Sequence, residues 1–505
     1  VCDTPAEREL AEELESVRRE SASAYLAALP GARAAVLARL WRGLVHEPLP
    51  WIAARVSGRD GIVLRLVDGR RLHGPPSDPW ATGTAVAAVE LDGVPYGHPA
   101  LLMAALRVPG GAPFAAELDH SVASLALSRT APRPAGPPAE PWEWEQRSPD
   151  GHPYHPTCRS RPGFSAAEQL AYAPEHRPVV GLRLAPVTGA TVRGPWPAEW
   201  RDGDAVLVPV HPWQAGHVLG GRRTLPGPPA HPLLSLRTLD LGARMHVKTA
   251  LSTRLTSQVR DISAYSVEYA LATSEVAERV ANGLGGRLHI ARTLAAAGAG
   301  TPDLAAVLRE SPYVHAGTGE QVIPVAELPG HYASHSPHER LERITEFARL
   351  AVSVCLDLLD VGVVLEAHGQ NLLAVVDGEG RPQRLVYRDL ADIRISPARL
   401  ARHGLPPPPL TGRLLNDDPT ALRRKALSCL ITGALGPLAG NTTTLGTLLE
   451  AATRDLPPTP DLRALRTEEL PVKALTLMRL SSKDDQWALL PNPMSVKRRR
   501  GKVSG

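Results

Sequence analysis

Residues 362–394, GVVLEAHGQNLLAVVDGEGRPQRLVYRDLADIR, carry two short apolar runs, LLAVV (372–376) and RLVYRDL (384–390), on either side of Asp377-Gly378-Glu379-Gly380. An Asp-Gly turn between two apolar runs reads as an antiparallel hairpin. Closing that hairpin brings Arg388 and Asp389 back beside Gln370 and Asn371, so an amide and a carboxylate meet at one end of a short ribbon. Glu366 and His368 stand just ahead of the first strand, where a helix ends. The plainer alternative is a hairpin whose polar ends are only solvated.

Working outward, the segment before this ribbon, HERLERITEFARLAVSVCLDLLD (338–360), is striped with apolar residues at helical spacing. The chain after it reads as mostly helical, broken at LPPPPL (405–410) and LPPTP (456–460). Residues 5–29 predict an amphipathic helix, and 61–95 predict strands. A Pro-rich break falls at 130–150. The middle of the chain holds short strand-like runs, AVLVPVHPW (205–213) and RMHVKTALST (244–253), interrupted by a predicted loop, GGRRTLPGPPAHP (220–232).

Three groups of residues carry chemistry. GHPYHPTCRSRPGF (151–164) packs two His-Pro pairs and two arginines into fourteen residues. A residue before proline is driven towards extended backbone, and three residues per turn would project His152 and His155 to the same side. Arg159 and Arg161 then alternate, giving a cationic ledge suited to phosphate or carboxylate oxygens. Zinc is the competing reading, but no third ligand of suitable spacing lies nearby. The second group is Ser235-Leu236-Arg237 with Lys248-Thr249-Ala250-Leu251-Ser252-Thr253-Arg254-Leu255-Thr256-Ser257-Gln258-Val259-Arg260. If 246–256 is one strand, Lys248, Ala250 and Ser252 share a face; either an anion site or a basic, solvated strand fits. The third group is the ribbon itself. Protein kinases hold magnesium with an Asn and an Asp placed in a similar local order, although the other kinase motifs are missing.

Bulk properties narrow the class. The 505 residues exceed what one hydrophobic core usually serves, so two to four lobes are expected. Apolar residues at 43% and charged residues at 21% are ordinary for a soluble protein. The net charge of +4 could come largely from the tail Lys497-Arg498-Arg499-Arg500-Gly501-Lys502, which reads as a solvated end rather than a nucleic-acid or membrane anchor. Four scattered cysteines without a CxxC pair fit a reducing compartment. With no signal-peptide pattern and no bilayer-length apolar run, a cytoplasmic location is expected.

Taken in order, GHPYHPTCRSRPGF, YAPEH, HPWQ, KTALSTRLTSQVR, LRESP, EAHGQN and YRDLADIR resemble the NRPS-independent siderophore synthetases of the IucA/IucC (aerobactin synthetase) type. The resemblance covers about 150–395 and extends more weakly through KALTLMRL. It implies an α+β fold shaped as a cupped hand: a thumb over 1–150, fingers over 151–338 with mixed or antiparallel sheets, and a largely helical palm over 339–505. It implies an ATP-dependent ligase that adenylates a carboxylic acid, often citrate or a derivative. The acyl group then passes to an amine or alcohol, with AMP and pyrophosphate released. His155, Arg159, Ser235, Arg237 and Lys248 would contact ATP phosphates. Thr256, Arg260 and His368 would hold the carboxylate. Glu366, Gln370, Asn371 and Asp389 would line the nucleotide and Mg2+ side, with Glu366, Asn371 and Asp389 as the metal ligands. Arg159 stands where the family usually has Lys. Homodimers are common in the family. A kinase-like phosphotransferase and a non-enzymatic siderophore- or metal-binding protein are the alternatives.

Overall fold

The structure, a computed structural model, describes residues 2–134, 136–242, 244–256, 258–481 and 485–495. The basic tail at 497–502 lies outside them. The expected N-terminal helix is two helices, Pro5–Val17 and Arg19–His46, because Arg18 leaves helical geometry at φ −156° and ψ 71°. The second helix runs straight through Pro30. An internal proline costs a helix roughly 3 kcal/mol, and here burial of Tyr25, Leu29, Val36, Leu37, Leu40 and Trp41 against a common core offsets it. The predicted strands form a five-stranded antiparallel meander: Ile52–Gly58, Gly61–Leu66, Arg71–Gly74, Val89–Leu91 and Val94–Tyr96. Helix Gly111–Ser128 completes this lobe by packing on Arg19–His46.

The middle of the chain builds a nine-stranded sheet. Its spatial order is Thr191–Arg193, Thr293–Gly298, Ala305–Glu310, Met245–Thr249, Thr238–Asp240, Leu225–Pro232, Val180–Thr188, Ala205–Val210, Arg201–Asp202. Leu225–Pro232 lies within the stretch expected to be a loop, and it contains four prolines. Its pairing explains the tolerance. Leu225–Ala230 pairs only with Val180–Thr188, and His231 and Pro232 pair only with Thr238–Asp240. Each half is thus an edge on one side, where a missing N–H leaves no ladder bond unmade. The expected single strand over 246–256 is two. Met245–Thr249 stays in the large sheet, and Leu251–Leu255 turns off to pair with Gln258–Arg260. Ser252 is drawn away from Lys248 by Gln214 and Asp303, at 2.8 and 2.6 Å.

Helix Pro337–Val361 opens with a Ser336/Glu339 capping box and closes at Gly362. The ribbon that follows closes as read from its turn: Leu372–Val376 pairs with Pro382–Tyr387, Leu372 opposite Tyr387. Leu288–Ile290 flanks it in parallel and Gln321–Pro324 antiparallel. These strands and the C-terminal helices share the largest core. The expected helical C-terminus also contains a hairpin, Leu470–Lys473 with Trp487–Leu490. Between its strands, helix Leu475–Leu480 docks back on the first lobe. There the buried Glu47 accepts the backbone N–H groups of Thr476 and Leu477 at 2.9 and 2.8 Å. Among the described residues no helix is long and apolar enough to cross a membrane.

Candidate active site

The site starts from two neighbouring strands of the large sheet. Lys248 stands opposite Val307, and His246 stands opposite Arg309. Facing residues in an antiparallel pair share a side, so Lys248 and Arg309 are diagonal neighbours on one face. Both reach Asp389 of the ribbon: Lys248 Nζ donates to its two oxygens at 2.7 and 2.8 Å, and Arg309 donates to Oδ1 at 3.0 Å. Arg237 comes in from the turn before Thr238–Asp240, held by the carbonyls of Arg260 and Asp261, the latter at 3.0 Å. Arg260 donates to Leu255 O at 3.2 Å and lies 3.5 Å from Thr256 Oγ1.

Three non-glycine residues here hold left-handed backbone: Leu236 (φ 67°), Thr256 (φ 59°) and Asp389 (φ 72°). Such conformations cost of order 1–3 kcal/mol each and gather where function demands them. Each of the three is, or adjoins, an expected site residue.

Electrostatics show how crowded the cluster is. Burial pulls the Lys248 ammonium down to about 7, with Asp389 opposing and Arg237 and Arg309 reinforcing. Burial likewise lowers Arg237 to about 9, with Arg260 adding to it. Burial alone would raise Asp389, but Arg309, Lys248 and Arg237 together hold its carboxyl well below the usual range. Asp389 is the carboxylate that Arg237, Lys248, Arg260 and Arg309 share, with Asp261 acting further on Arg237 and Glu366 on Arg260. The arrangement is under-neutralised and suited to a polyanion.

The His-Pro pairs have a local explanation that the sequence did not supply. His98, His152, His155 and His211 each accept, through Nδ1, the backbone N–H two residues on, at 3.1–3.2 Å. Each imidazole thus caps its own turn and keeps its proton on Nε2. His155 is 2% exposed, and its Nε2 has no hydrogen-bond partner among the described residues. Thr157, which also bonds His155, donates to Thr256 O at 3.1 Å and so joins the segment to the Arg260 hairpin. Burial, then His152, Arg479 and Arg260, push His155 well below its ordinary value.

The cationic ledge expected at Arg159 and Arg161 does not form, because residues 153–159 turn instead of extending. Arg161 pairs with the buried Glu175 at 2.8 and 3.1 Å. Arg159 donates to the carbonyls of Pro149 (2.6 Å) and Ser148 and lies 3.9 Å from Glu175. Its guanidinium is committed to protein groups apart from the Lys248 cluster.

The ribbon supplies the opposite wall. His368 Nε2 lies 3.2 Å from Asn371 Nδ2. Burial, followed by Lys473 and Arg260 against the pull of Asp389, holds His368 to about 4. Gln370 is exposed, and its amide reaches Leu234 O at 3.5 Å. Ser235, half-buried, accepts Thr238 N–H at 3.2 Å. Glu366 is bound by Lys425 at 2.8 Å, and Lys425 also takes Asp392 at 2.7 Å. Glu366, Asn371 and Asp389 do not form a metal cage: Lys425 occupies the first, Lys248 and Arg309 the third. Among the described residues no group of three or more His, Cys, Asp or Glu is arranged to hold a metal ion.

Sequence reasoning missed two cations. Arg309 sits in LRESP, a run used only as a marker. Lys473 comes from the C-terminal hairpin, and its charge lowers both His152 and His368.

Comparison with known proteins bears on the family and the fold. Residues 141–329 match the IucA / IucC family, and 344–486 match the family described as ferric iron reductase FhuF-like transporter. The rhizobactin siderophore biosynthesis protein RhbC of Rhizobium meliloti is 26% identical over 303 residues, 47% of this chain and 52% of that one. The uncharacterized protein y4xN of Sinorhizobium fredii is 24% identical over 48% of this chain and 50% of its own length. The chain thus spans about half the length of the curated relatives it matches. Among solved structures, the petrobactin biosynthesis protein AsbB of Bacillus anthracis superposes with a TM-score of 0.78 at 18% identity, covering 99% of this chain and 100% of that one. The aerobactin synthetase IucC of Klebsiella pneumoniae gives 0.70 at 17% identity, over 93% and 99%. ATP-bound aerobactin synthetase IucA from the same organism gives 0.65 at 17%, over 92% and 99%. Residues 141–329 thus match the IucA / IucC family, and the chain carries the α+β fold of the petrobactin protein AsbB and the aerobactin synthetases.

Proposed function

We propose that this chain is an ATP-dependent ligase of siderophore assembly that activates a carboxylic acid as its adenylate and transfers the acyl group to an amine or alcohol. The observation that carries this reading is the convergence of Arg237, Lys248, Arg260 and Arg309 around the carboxylate of Asp389. A triphosphate beside a polycarboxylate needs this excess of positive charge in a water-poor cleft.

In this reading Arg237, Lys248 and Arg309 face the phosphates, and Arg260, Thr256 and His368 hold the acid. Neutral His155 offers its free Nε2–H to an oxygen. The acid's carboxylate oxygen attacks the α-phosphorus, and the bond to the bridging oxygen breaks with its electron pair leaving on pyrophosphate. The amine or alcohol then attacks the acyl carbon, loses its proton, and expels AMP. Electrostatic stabilisation of the departing pyrophosphate falls to the cations. Mg2+ arriving with the nucleotide would be held mainly by its phosphate oxygens, as Mg2+ usually is, and Asp389 would be available to it only if the phosphates drew Lys248 and Arg309 away. Citrate or a citrate-derived acid is the proposed substrate class.

A panel of carboxylates, with hydroxylamine as surrogate nucleophile, tests this. One acid or a narrow group should give hydroxamate with equal AMP and pyrophosphate. Hydroxamate from none, or ADP as the sole nucleotide product, would contradict the proposal.

A further inference from the structure

Glu145 lies in the 141–146 segment that leads from the first lobe towards the sheet, and it is 1% exposed. Arg388, itself 5% exposed, grips it through two N–H groups at 2.7 and 2.6 Å. Tyr313 donates its hydroxyl to Oε1 at 2.6 Å, and Leu234 donates its backbone N–H to Oε2 at 3.2 Å. One buried carboxylate therefore ties together three distant segments, and each carries cleft residues. Leu234 immediately precedes Ser235 and Arg237. Tyr313 stands four residues after Arg309. Arg388 is the neighbour of Asp389.

Arg388 passes the constraint on. Its side chain donates twice to Gln370 O, at 3.0 and 2.8 Å, and its backbone N–H donates to Asn371 O at 3.0 Å. The turn carrying Gln370 and Asn371 is thus clamped to the strand end carrying Asp389. Glu145 also answers the Arg388 charge, leaving Asp389 to Lys248 and Arg309.

We propose that Glu145 is a positioning residue for the nucleotide cleft, fixing Asp389 and the Gln370–Asn371 turn against Arg237 and Arg309 without touching a ligand. This rests on the ATP-dependent reading above. A buried ion pair broken on one side leaves an uncompensated charge, whereas removing both charges can restore stability. That asymmetry separates positioning from mere stabilisation.

The test compares the wild type with Glu145→Gln, Tyr313→Phe, and the pair Glu145→Met with Arg388→Met. Calorimetric ATP affinity, kcat and KM for ATP, and melting temperature are measured for each. Glu145→Gln should weaken ATP binding and lower kcat by at least ten-fold. The double variant should regain melting temperature while its turnover stays down, because Gln370 has lost its clamp. Tyr313→Phe, the mildest change, should raise the KM for ATP by about three-fold, as expected for one lost hydrogen bond. Turnover returning together with melting temperature in the double variant would overturn the proposal. So would unchanged ATP parameters in Tyr313→Phe, which decides the matter if Glu145→Gln does not fold. A wild type that binds ATP but forms no AMP contradicts the ligase reading alone, since ATP affinity still reports on Glu145.

Discussion

Lys248 shows most directly what burial among arginines does to a single group. Its ammonium sits near the point of losing its proton at neutral pH, and a bound polyanion stabilises the charged form. The shift is downward in the ligand-free protein, so the group is neutral above about pH 7 and takes up a proton when phosphate arrives. ATP binding at pH 8 should take up about one proton, falling towards none at pH 6, where Lys248 already carries it. Calorimetry in buffers of different ionisation enthalpy measures this, and Lys248→Met should abolish the difference. Equal uptake at both pH values would count against Lys248 as a phosphate ligand. At this scale the sequence showed the residue types and hid their commitments. Lys248, Arg260 and His368 were legible as cation and imidazole at motif positions. Arg159 looked the same, yet it donates to the Pro149 and Ser148 carbonyls whereas Lys248 donates to Asp389, and no local pattern in the sequence distinguishes those partners.

Among the elements, the ribbon at 362–394 was readable because its turn chemistry and apolar alternation agree. Leu225–Pro232 was not. Four prolines argue against a strand unless it is known that each half pairs on one side only, and that depends on strands far away in sequence. The turn Ile431–Leu435, a wider, under-wound π-helical step after helix Pro419–Leu430, was equally hidden. Gly433 in it accepts Gly369 N–H at 2.7 Å, and a Cβ there would meet His368 Cβ at 2.4 Å and Cα at 2.9 Å. The helix can approach the His368 loop this closely only without a side chain. Gly433→Ala should therefore push His368 out of register and cut turnover about ten-fold, while costing roughly 1–3 kcal/mol of stability, as overpacking usually does. Steady-state kinetics and thermal melting check both parts; unchanged kcat in a stably folded variant would show that the loop position does not matter.

For the whole molecule, the central feature is that the fold brings together residues about 320 positions apart, His152 and Lys473 among them. The α+β class and the order of motifs were visible in the chain. The resemblance also implied that distant segments share one site, but it left out Arg309 and Lys473, whose places depend on the sheet bringing Arg309 beside Lys248 and on the C-terminal hairpin returning Lys473 to the His368 side. The chain's end is also fastened to its beginning, through Glu47 with Thr476 and through Glu117 with Arg479.

The most direct measurement follows an oxygen atom. With substrate carboxylate labelled with 18O, attack on the α-phosphorus leaves one labelled oxygen in AMP after the acyl group departs. Mass spectrometry of the products should find the label in AMP and none in inorganic phosphate. Label in inorganic phosphate, with ADP as the nucleotide product, would mean attack on the γ-phosphorus and would contradict the account.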